Sequence, residues 1–224
     1  MDELLSDIYQ RRLGNDTDFR QRMYKVLCQN VFQKYIPKNA TVLDLAAGYC
    51  EFINNIQAAN KIAVDLNPDT QQHAAPHVKT IITRTTDLSA INDNTIDAAF
   101  TSNFFEHLSK PDIVQTIQET HRVLKPNGRF LILQPNIRYC SKDYWMFFDH
   151  ITPIDHDSLS EVLEIHNFKI DLCIPRFLPY STKGRLPNSI WLLKLYLRLP
   201  LVKRIFGKQL FICARKVASP EKRS

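Results

Sequence analysis

The stretch Val42–Phe52, VLDLAAGYCEF, is the clearest indication of the fold in this sequence. Its first residues form a short apolar run of the kind that makes a buried strand, and Ala46, Ala47 and Gly48 follow as a turn of small residues. Glu51 then opens a helical pattern. A strand that continues through a tight turn into a helix is the first part of a βαβ unit, in which the turn brings backbone close to a ligand.

The chain downstream repeats this alternation of strands and helices. The predicted strands are Thr41–Leu45, Lys61–Asp65, Val78–Thr83, Ile96–Thr101 and Arg129–Leu133. Helical patterns lie between most of them, at Glu51–Ala59, Asp69–Ala75 and Asp112–Leu124. Such alternation predicts an α/β fold with a doubly wound, Rossmann-like parallel sheet, because right-handed crossovers place helices on both faces.

Both ends of the chain extend this core, and 224 residues suit a single domain with elaborations. Helical periodicity near residues 3–13 and 18–35 predicts N-terminal helices within residues 1–38. Residues 135–156 are predicted to form a long aromatic loop. The C-terminal elements are predicted as a helix near Ser158–His166, a strand at Phe168–Ile174, a basic helical insertion at about 183–207, and a last strand at Gln209–Ala214, which we expect to be antiparallel at the sheet edge.

Charge is unevenly distributed along the sequence. The whole chain has a net charge of +6, yet residues 172–224 contain 12 basic residues and a single acid. Residues 1–171 have a net charge of −5, and there is no carboxylate between Asp171 and Glu221. This asymmetry predicts an anionic partner that contacts the C-terminal quarter of the chain.

Composition also argues against several classes of protein. No window of about 18 residues is free of charge, so we expect no transmembrane helix. The first residues are acidic, which predicts no secretory signal. The five cysteines are scattered and never form a CxxC pair, which favours reduced thiols in a cytosol over a disulfide framework or a zinc site. We therefore expect a cytoplasmic protein.

Acidic residues at the strand ends predict a nucleoside site. In a doubly wound sheet the ligand lies at the carboxyl ends of the strands. Asp44 lies near that end of the first predicted strand, and Asp65 ends the second strand 21 residues later. An acid at this distance accepts hydrogen bonds from ribose hydroxyls. Asp87 follows the third strand, where a carboxylate can accept from an exocyclic adenine amine.

The turn separates two cofactor classes. A dinucleotide needs its pyrophosphate at the helix N-terminus, on a Gly-x-Gly-x-x-Gly turn. Here Gly48 is the one glycine of the turn, and the carboxylate of Glu51 at the helix start would repel a diphosphate. S-adenosylmethionine has no phosphate and tolerates both features. These features favour S-adenosylmethionine over a dinucleotide, and an NAD(P)-dependent Rossmann oxidoreductase is the less favoured alternative.

The motifs VLDLAAGYCEF, IAVDLNPD, TTDL, IDAAFTSNFFEHL and VLKPNGRFLILQPN together resemble a class I S-adenosylmethionine-dependent methyltransferase. The resemblance covers about residues 40–136. The family turn usually reads Asp/Glu-x-Gly-x-Gly-x-Gly, and this sequence has Ala46 and Cys50 in place of its first and third glycines. These replacements leave a non-catalytic S-adenosylmethionine-binding module as a further alternative.

The resemblance implies more than the cofactor class. Members of this family commonly have six parallel strands and a seventh strand inserted antiparallel. The resemblance also implies binding of S-adenosyl-L-methionine by Asp44, Ala46, Gly48, Asp65, Leu66, Asp87, Leu88 and Asn103. The resemblance gives almost no information about the molecule that accepts the methyl group.

The aromatic loop after the fifth predicted strand is the expected acceptor side. If the acceptor is a hydroxyl, a base removes its proton during attack, and histidine suits neutral pH. We therefore predict His150, next to Asp149, as the leading catalytic base, with His107 and His156 as further candidates. No metal site is predicted, because the acids and histidines of this loop lack a tight ligand spacing.

The composition of the basic insertion indicates what kind of partner the protein binds. From Lys183 to Lys208 there are seven basic residues and no acid, and leucines and Trp191 are interleaved with them. This pattern fits a helix that lies on an anionic membrane surface, and it fits equally a lid packed on the sheet. No nucleic-acid-binding module is recognisable. We predict O-methylation of a small-molecule, glycan or lipid-linked acceptor.

Overall fold

The computed structural model describes residues 17–180 and 189–218, and it contains a seven-stranded sheet flanked by helices. The strands are β1 (Thr41–Leu45), β2 (Asn60–Asp65), β3 (Val78–Ile82), β4 (Ile96–Ser102), β5 (Leu124–Pro135), β6 (Phe168–Leu178) and β7 (Gln209–Lys216). The α-helices of the described chain are α1 (Thr17–Asn30), α2 (Glu51–Asn55), α3 (Thr70–His73), α4 (Lys110–Val123), α5 (Ile137–Tyr144), α6 (His156–Ile165), α7 (Ile190–Arg198) and α8 (Pro200–Phe206). The helix predicted near residues 3–13 lies outside the described residues.

The strand order is β3-β2-β1-β4-β5-β7-β6. β1 pairs in parallel with β2 and β4, while β7 pairs antiparallel with both β5 and β6. This is the class I methyltransferase arrangement, so the predicted fold class is confirmed. The predicted edge position of β7 is wrong, because β6 is the edge strand. β7 is buried on both faces, whereas β6 exposes Lys169 and Asp171, and such charges protect an edge from pairing.

The sheet has a separate hydrophobic core on each face. Successive residues of a strand point to opposite faces, so in β5 Leu131 belongs to one core and Phe130 to the other. Helices α1 and α2 cover the first core, to which Leu27 and Phe52 contribute. Helices α4 and α6 cover the second. The ends of the central strands are thereby held rigidly between two packed layers.

Two predicted boundaries differ in ways that affect the site. Helix α2 ends at Asn55 rather than Ala59, because β2 already begins at Asn60. The segment 135–156 is not one loop, since it contains helix α5. The side chain of Asn136 accepts a hydrogen bond from the Arg138 N–H at the start of this helix, and Tyr144 near its end is fully buried. Among the described helices, none has the length and apolar character needed to cross a membrane.

Candidate active site

The turn after β1 has an unusual backbone. Ala46, Gly48 and Cys50 all adopt positive φ angles, of 55°, 50° and 58°. Glycine tolerates this left-handed conformation, whereas a residue with a Cβ pays about 1–2 kcal/mol. The conformation is held by hydrogen bonds, including one of 3.1 Å from the Ala47 N–H to the Val64 carbonyl. The sequence therefore keeps the shape of a glycine-rich turn at two non-glycine positions.

Cys50 does not obstruct the cleft above this turn. Its side chain is fully buried, and its Sγ lies 3.7 Å from the Thr70 carbonyl oxygen and 4.0 Å from that of Gly48. Burial raises the pKa of the Cys50 thiol far above its ordinary value. The sulfur is thus an inert part of the core beneath the turn.

Two adjacent pockets, called here the inner and outer lobes, lie at the carboxyl ends of β1, β2 and β4. Ala46 in the turn lines both lobes. The outer lobe is also lined by Asp65, Leu66, Thr83, Arg84, Thr85, Thr86, Phe104, Leu108 and Asp112. The inner lobe is also lined by Arg20, Tyr24, Asp44, Ala47, Glu51, Phe52, Phe100 and Ser102.

Asp65 connects the turn to the outer lobe. Its Oδ2 accepts a hydrogen bond of 2.7 Å from the Gly48 N–H, and its Oδ1 accepts one of 2.8 Å from the Asn67 N–H. Burial raises the pKa of this carboxyl, and the backbone donors oppose that shift. Each carboxylate oxygen has two lone pairs, so Asp65 can still accept from ligand hydroxyls.

The inner lobe has an excess of buried negative charge. Asp44 is 3% exposed and Glu51 is 4% exposed. The Arg20 Nε donates a 2.7 Å hydrogen bond to Glu51 Oε1, so one guanidinium faces two carboxylates. Burial, and then the charge of Glu51, raise the pKa of Asp44 well above its ordinary value. The lobe thus favours a ligand with a cationic group.

Sequence reasoning did not identify Arg20, Tyr24 or Ser102 as site residues. The Tyr24 hydroxyl and Ser102 Oγ are 2.7 Å apart and join α1 to the end of β4. The available signal was periodicity, since Arg20 and Tyr24 are four residues apart and therefore share a face of α1. That signal does not indicate which part of the sheet this face covers.

Three other cofactor-binding candidates, Asp87, Leu88 and Asn103, are not among the residues that line the two lobes. Leu88 is 1% exposed and belongs to the core, and Asp87 is exposed, with its Oδ1 accepting a 3.0 Å hydrogen bond from the Ser89 N–H. The hydrogen bonds from Ser89 lower the pKa of Asp87. Asn103 has a positive φ of 49°, and its Nδ2 donates a 2.9 Å hydrogen bond to Ser102 Oγ in the inner lobe.

A histidine cluster, formed by Glu106, His107 and His150, lies just after β4. The two imidazole rings are 4.9 Å apart and nearly perpendicular. Glu106 is 1% exposed, and its Oε2 accepts a short hydrogen bond from Nε2 of Gln134 in β5. Burial raises the pKa of Glu106, and the nearby His107 opposes this effect. The cluster is therefore fixed to the ends of β4 and β5, on the cleft edge of the sheet.

Aromatic rings surround His150. Phe147 stacks on its imidazole at 4.9 Å, and Tyr144 meets the ring edge-on at 4.8 Å. The Tyr180 hydroxyl lies 3.5 Å from His150 Nε2. The structure thus brings two predicted histidines together within an aromatic surround.

The third candidate, His156, lies in another group. It begins α6, its Nδ1 is 3.1 Å from Asn136 Nδ2, and its ring stacks on Tyr139. Its neighbour Asp155 caps the helix, with Oδ1 accepting from the Ser158 N–H at 2.8 Å. Asp149 instead lies beside His107, so the acids and histidines of residues 149–156 divide between two places.

Residues 43–132 match a family model described as a methyltransferase domain. A comparison with curated protein sequences finds no match. The chain therefore contains a methyltransferase domain over residues 43–132, and its sheet order is that of the class I methyltransferase fold.

Solved structures show the same fold at low sequence identity. A S-adenosylmethionine-dependent methyltransferase from Archaeoglobus fulgidus is 19% identical with a TM-score of 0.66, covering 90% of this chain and 97% of that one. A putative methyltransferase from Haloferax volcanii, solved with the activator Trm112, is 16% identical with a TM-score of 0.67 and coverages of 94% and 97%. A possible histamine N-methyltransferase from Thermotoga maritima is 14% identical with a TM-score of 0.68 and coverages of 94% and 98%.

Proposed function

We propose that this chain binds S-adenosylmethionine across the two lobes and methylates a hydroxyl acceptor at the histidine cluster. The observation that supports this most is that the two lobes adjoin the same turn, where Ala46 lines both, with Asp65 in one lobe and the acids Asp44 and Glu51 in the other. A nucleoside joined to a cationic amino-acid tail matches that order of groups. A dinucleotide does not, because its diphosphate would meet the buried acids.

The outer lobe fits the nucleoside part. Asp65 offers lone pairs to the ribose hydroxyls, as nucleotide-binding acids at this position do. Leu66 and Phe104 supply apolar surface for a purine ring. From the segment after β3, the residues that line this lobe are Thr83, Arg84, Thr85 and Thr86.

The inner lobe fits the amino-acid tail. In this proposal Asp44 pairs with the ammonium group, which would offset the cost of its buried charge. Arg20 pairs with the carboxylate and keeps its contact with Glu51. When bound, S-adenosylmethionine supplies a methyl group on a sulfonium, and the residues of this chain have only to position it and to exclude water.

The histidine cluster is the proposed acceptor end. A hydroxyl oxygen attacks a sulfonium methyl readily only as its proton leaves, and an imidazole within reach of that hydroxyl assists this transfer by about 10²–10⁴-fold. The surrounding rings of Tyr144, Phe147 and Tyr180 would hold the apolar part of a small-molecule, glycan or lipid-linked acceptor. Of the two histidines, His150 is the more enclosed by aromatic rings.

An exposed apolar surface with basic charges supports a lipid-linked acceptor. Helices α7 and α8 contain no buried residue, and their exposed side chains include Trp191 at 69%, Leu201 at 70% and Ile205 at 66%. The four charged residues of the two helices are all basic: Lys194, Arg198, Lys203 and Arg204. We propose that this surface binds an anionic membrane, because basic charge and apolar surface together suit a lipid interface.

Methyl transfer itself is tested by product formation. The protein is incubated with S-adenosylmethionine and a panel of soluble hydroxylated acceptors, and with lipid-linked glycans in anionic vesicles. The proposal predicts acceptor-dependent formation of S-adenosylhomocysteine together with a methyl ether. Methylation restricted to nitrogen or carbon acceptors would contradict the hydroxyl assignment. Cofactor binding without transfer to any acceptor would instead support a non-catalytic binding module.

A further inference from the structure

The histidine cluster has an arrangement that general-base chemistry does not require. Glu106, His107 and His150 each place one ligand atom within 4.8 Å of the other two. Glu106 and His150 are buried, at 1% and 6% exposure. General-base chemistry needs one imidazole and a group that orients it, so a second imidazole and a buried carboxylate call for another explanation.

The tautomer of His107 determines what its other nitrogen can do. Its Nδ1 lies 3.0 Å from the Asp149 carbonyl oxygen, which can only accept, so Nδ1 holds the proton. The lone pair of the neutral ring is therefore on Nε2, which faces Glu106 Oε1 at 3.8 Å. Histidines that bind metals are oriented in this way, with one ring N–H donated to a carbonyl or carboxylate and the other nitrogen on the ion.

The distance between His107 and Glu106 favours an ion over a proton between them. A charge-assisted N–H···O bond closes to about 2.7–2.9 Å. Two ligands on one ion are further apart, at ~3.4 Å for tetrahedral bonds of ~2.1 Å. The observed 3.8 Å is nearer to the second value, and the ligand atom of His150 lies within 4.8 Å of the other two.

We propose that Glu106, His107 and His150 bind a divalent transition-metal ion, for which Zn²⁺ is the best match. Two imidazoles and one carboxylate form a donor set that suits Zn²⁺, while Mg²⁺ and Ca²⁺ prefer oxygen ligands. Three protein ligands leave a position open, as catalytic zinc sites do. The sequence gives no indication of this site, because Glu106 and His150 lie far apart in the chain.

A second group of the described residues, Asp155, His156 and Asp157, is a poorer candidate. Arg138 Nη2 lies 2.5 Å from Asp155 Oδ2 and 2.8 Å from Asp157 Oδ2, so a guanidinium already neutralises both acids. Asp155 also caps α6. This group serves as a matched control because it offers similar ligands without a buried carboxylate.

The metal site deepens the proposed function and rests on it for its role. A cation at the open position lowers the pKa of a hydroxyl that coordinates it, so the acceptor proton leaves to solvent water near neutral pH. The acceptor oxygen then forms a bond to the methyl carbon. The methyl–sulfur bond breaks with its electron pair on sulfur, which leaves a neutral thioether. With the ion bound, the two histidines hold it, and the cation replaces the free imidazole of the proposed function as the group that promotes loss of the acceptor proton.

Metal binding is measured without cofactor or acceptor. The full chain is treated with a chelator, dialysed and titrated with ZnCl₂ by calorimetry, with MgCl₂ in a parallel titration. We expect about one Zn²⁺ per chain and no comparable Mg²⁺ binding. Glu106→Gln and His107→Gln, which keep side-chain size, should weaken Zn²⁺ binding by more than the ~10–100-fold typical of outer-shell changes. Asp157→Asn in the control group should leave it unchanged.

The outcomes separate the metal site from the proposed function. Equal Zn²⁺ binding in wild type and both variants, with thermal unfolding showing them folded, would overturn the site. If the variants do not fold, the wild-type protein is titrated with Co²⁺ and its visible absorption spectrum is recorded. Co²⁺ d–d bands that disappear when Zn²⁺ is added support the site, and the absence of such bands overturns it. Calorimetry with S-adenosylmethionine on the same samples reports on the cofactor alone. Zn²⁺ binding without cofactor binding would keep the metal site and contradict the proposed function.

Discussion

The cofactor cleft and the histidine cluster are neighbours that are assembled in different ways. Asp44, Asp65 and the turn at Gly48 lie at the ends of adjacent parallel strands, so the fold itself brings them together. The histidine cluster combines residues after β4 with a residue after α5, and β5 anchors it through Gln134. Strand order therefore determines the first site, whereas the second depends on one loop and its packing.

This difference indicates which of the two sites can change without disturbing the fold. A cleft built from strand ends is common to proteins with this fold. We therefore expect the kind of cofactor that it binds to be common to them as well. A cluster built from a loop can change with few consequences for the core. Each prediction below alters one site and asks whether the other is affected.

The largest expected effect belongs to His150→Ala. Loss of this imidazole should lower turnover by about 10²–10⁴-fold, whether it takes the proton or holds an ion, and leave cofactor affinity unchanged. Steady-state kinetics and calorimetry measure the two quantities. The exposed His77→Ala serves as the control and should behave like wild type. Near-normal turnover in His150→Ala would transfer the role to His107.

A charge reversal on the basic helices should abolish membrane binding. We expect wild type to co-sediment with anionic vesicles at low salt, and Lys194, Arg198 and Arg204 changed together to glutamate to stay in solution. Each basic residue near an anionic leaflet contributes about 1 kcal/mol. Lys203 is left in place because its ammonium lies 5.7 Å from the Phe177 ring centroid and packs there.

The control for this experiment has the same change in net charge. Lys38, Lys79 and Lys110 are exposed elsewhere on the chain, and their change to glutamate should reduce binding far less. Failure of wild type to bind anionic vesicles at low salt would contradict the membrane proposal. The helices would then act as a lid, and soluble acceptors would be favoured.

Asp65→Ala should weaken S-adenosylmethionine binding by roughly tenfold or more. The reason is the loss of a partly buried acceptor for two hydroxyls, at about 1–3 kcal/mol. The exposed Asp18→Ala in α1 provides the control. Calorimetry measures affinity, and circular dichroism checks folding, since Asp65 also accepts from the Gly48 N–H. An unchanged affinity in a folded variant would remove Asp65 from the site.

The smallest effect is expected for the stability of Asp44→Asn. The folded-state pKa of Asp44 is raised above its ordinary 3.8, so ionisation destabilises the fold increasingly as the pH rises above that value. Asparagine does not ionise. The melting temperature of the Asp44→Asn variant should therefore exceed that of wild type by roughly 2–4 °C at pH 8 and by less at pH 5. Cofactor affinity should fall at the same time. A variant that melts below wild type at pH 8 would contradict this account.

Much of the fold and part of the site could be predicted from sequence. The strands β1 to β4 and the turn at Gly48 follow from local patterns, as does the acid Asp65. The edge position of β6 could not be predicted, because it depends on which strand is buried on both faces. Helix α5 was missed because it is only 8 residues long and its backbone is not helical at Cys140, so the sequence has no sustained helical periodicity there.

The missing part of the site has one physical cause. Arg20 and Glu51 pair across 31 positions of sequence, and Glu106 meets His150 across 44. Local periodicity contains no information about such pairs. The side chain of Leu88, which a motif match assigned to the cofactor, is buried in the core, and its assignment to the cofactor stays a prediction.

The identity of the cofactor is the most direct test of the account. Isothermal titration calorimetry would compare S-adenosylmethionine, S-adenosylhomocysteine and NAD on the same protein. We expect the first two to bind with one molecule per chain and NAD not to bind, because the inner lobe has buried acids where a diphosphate would lie. Tight binding of NAD together with no binding of S-adenosylmethionine would contradict it.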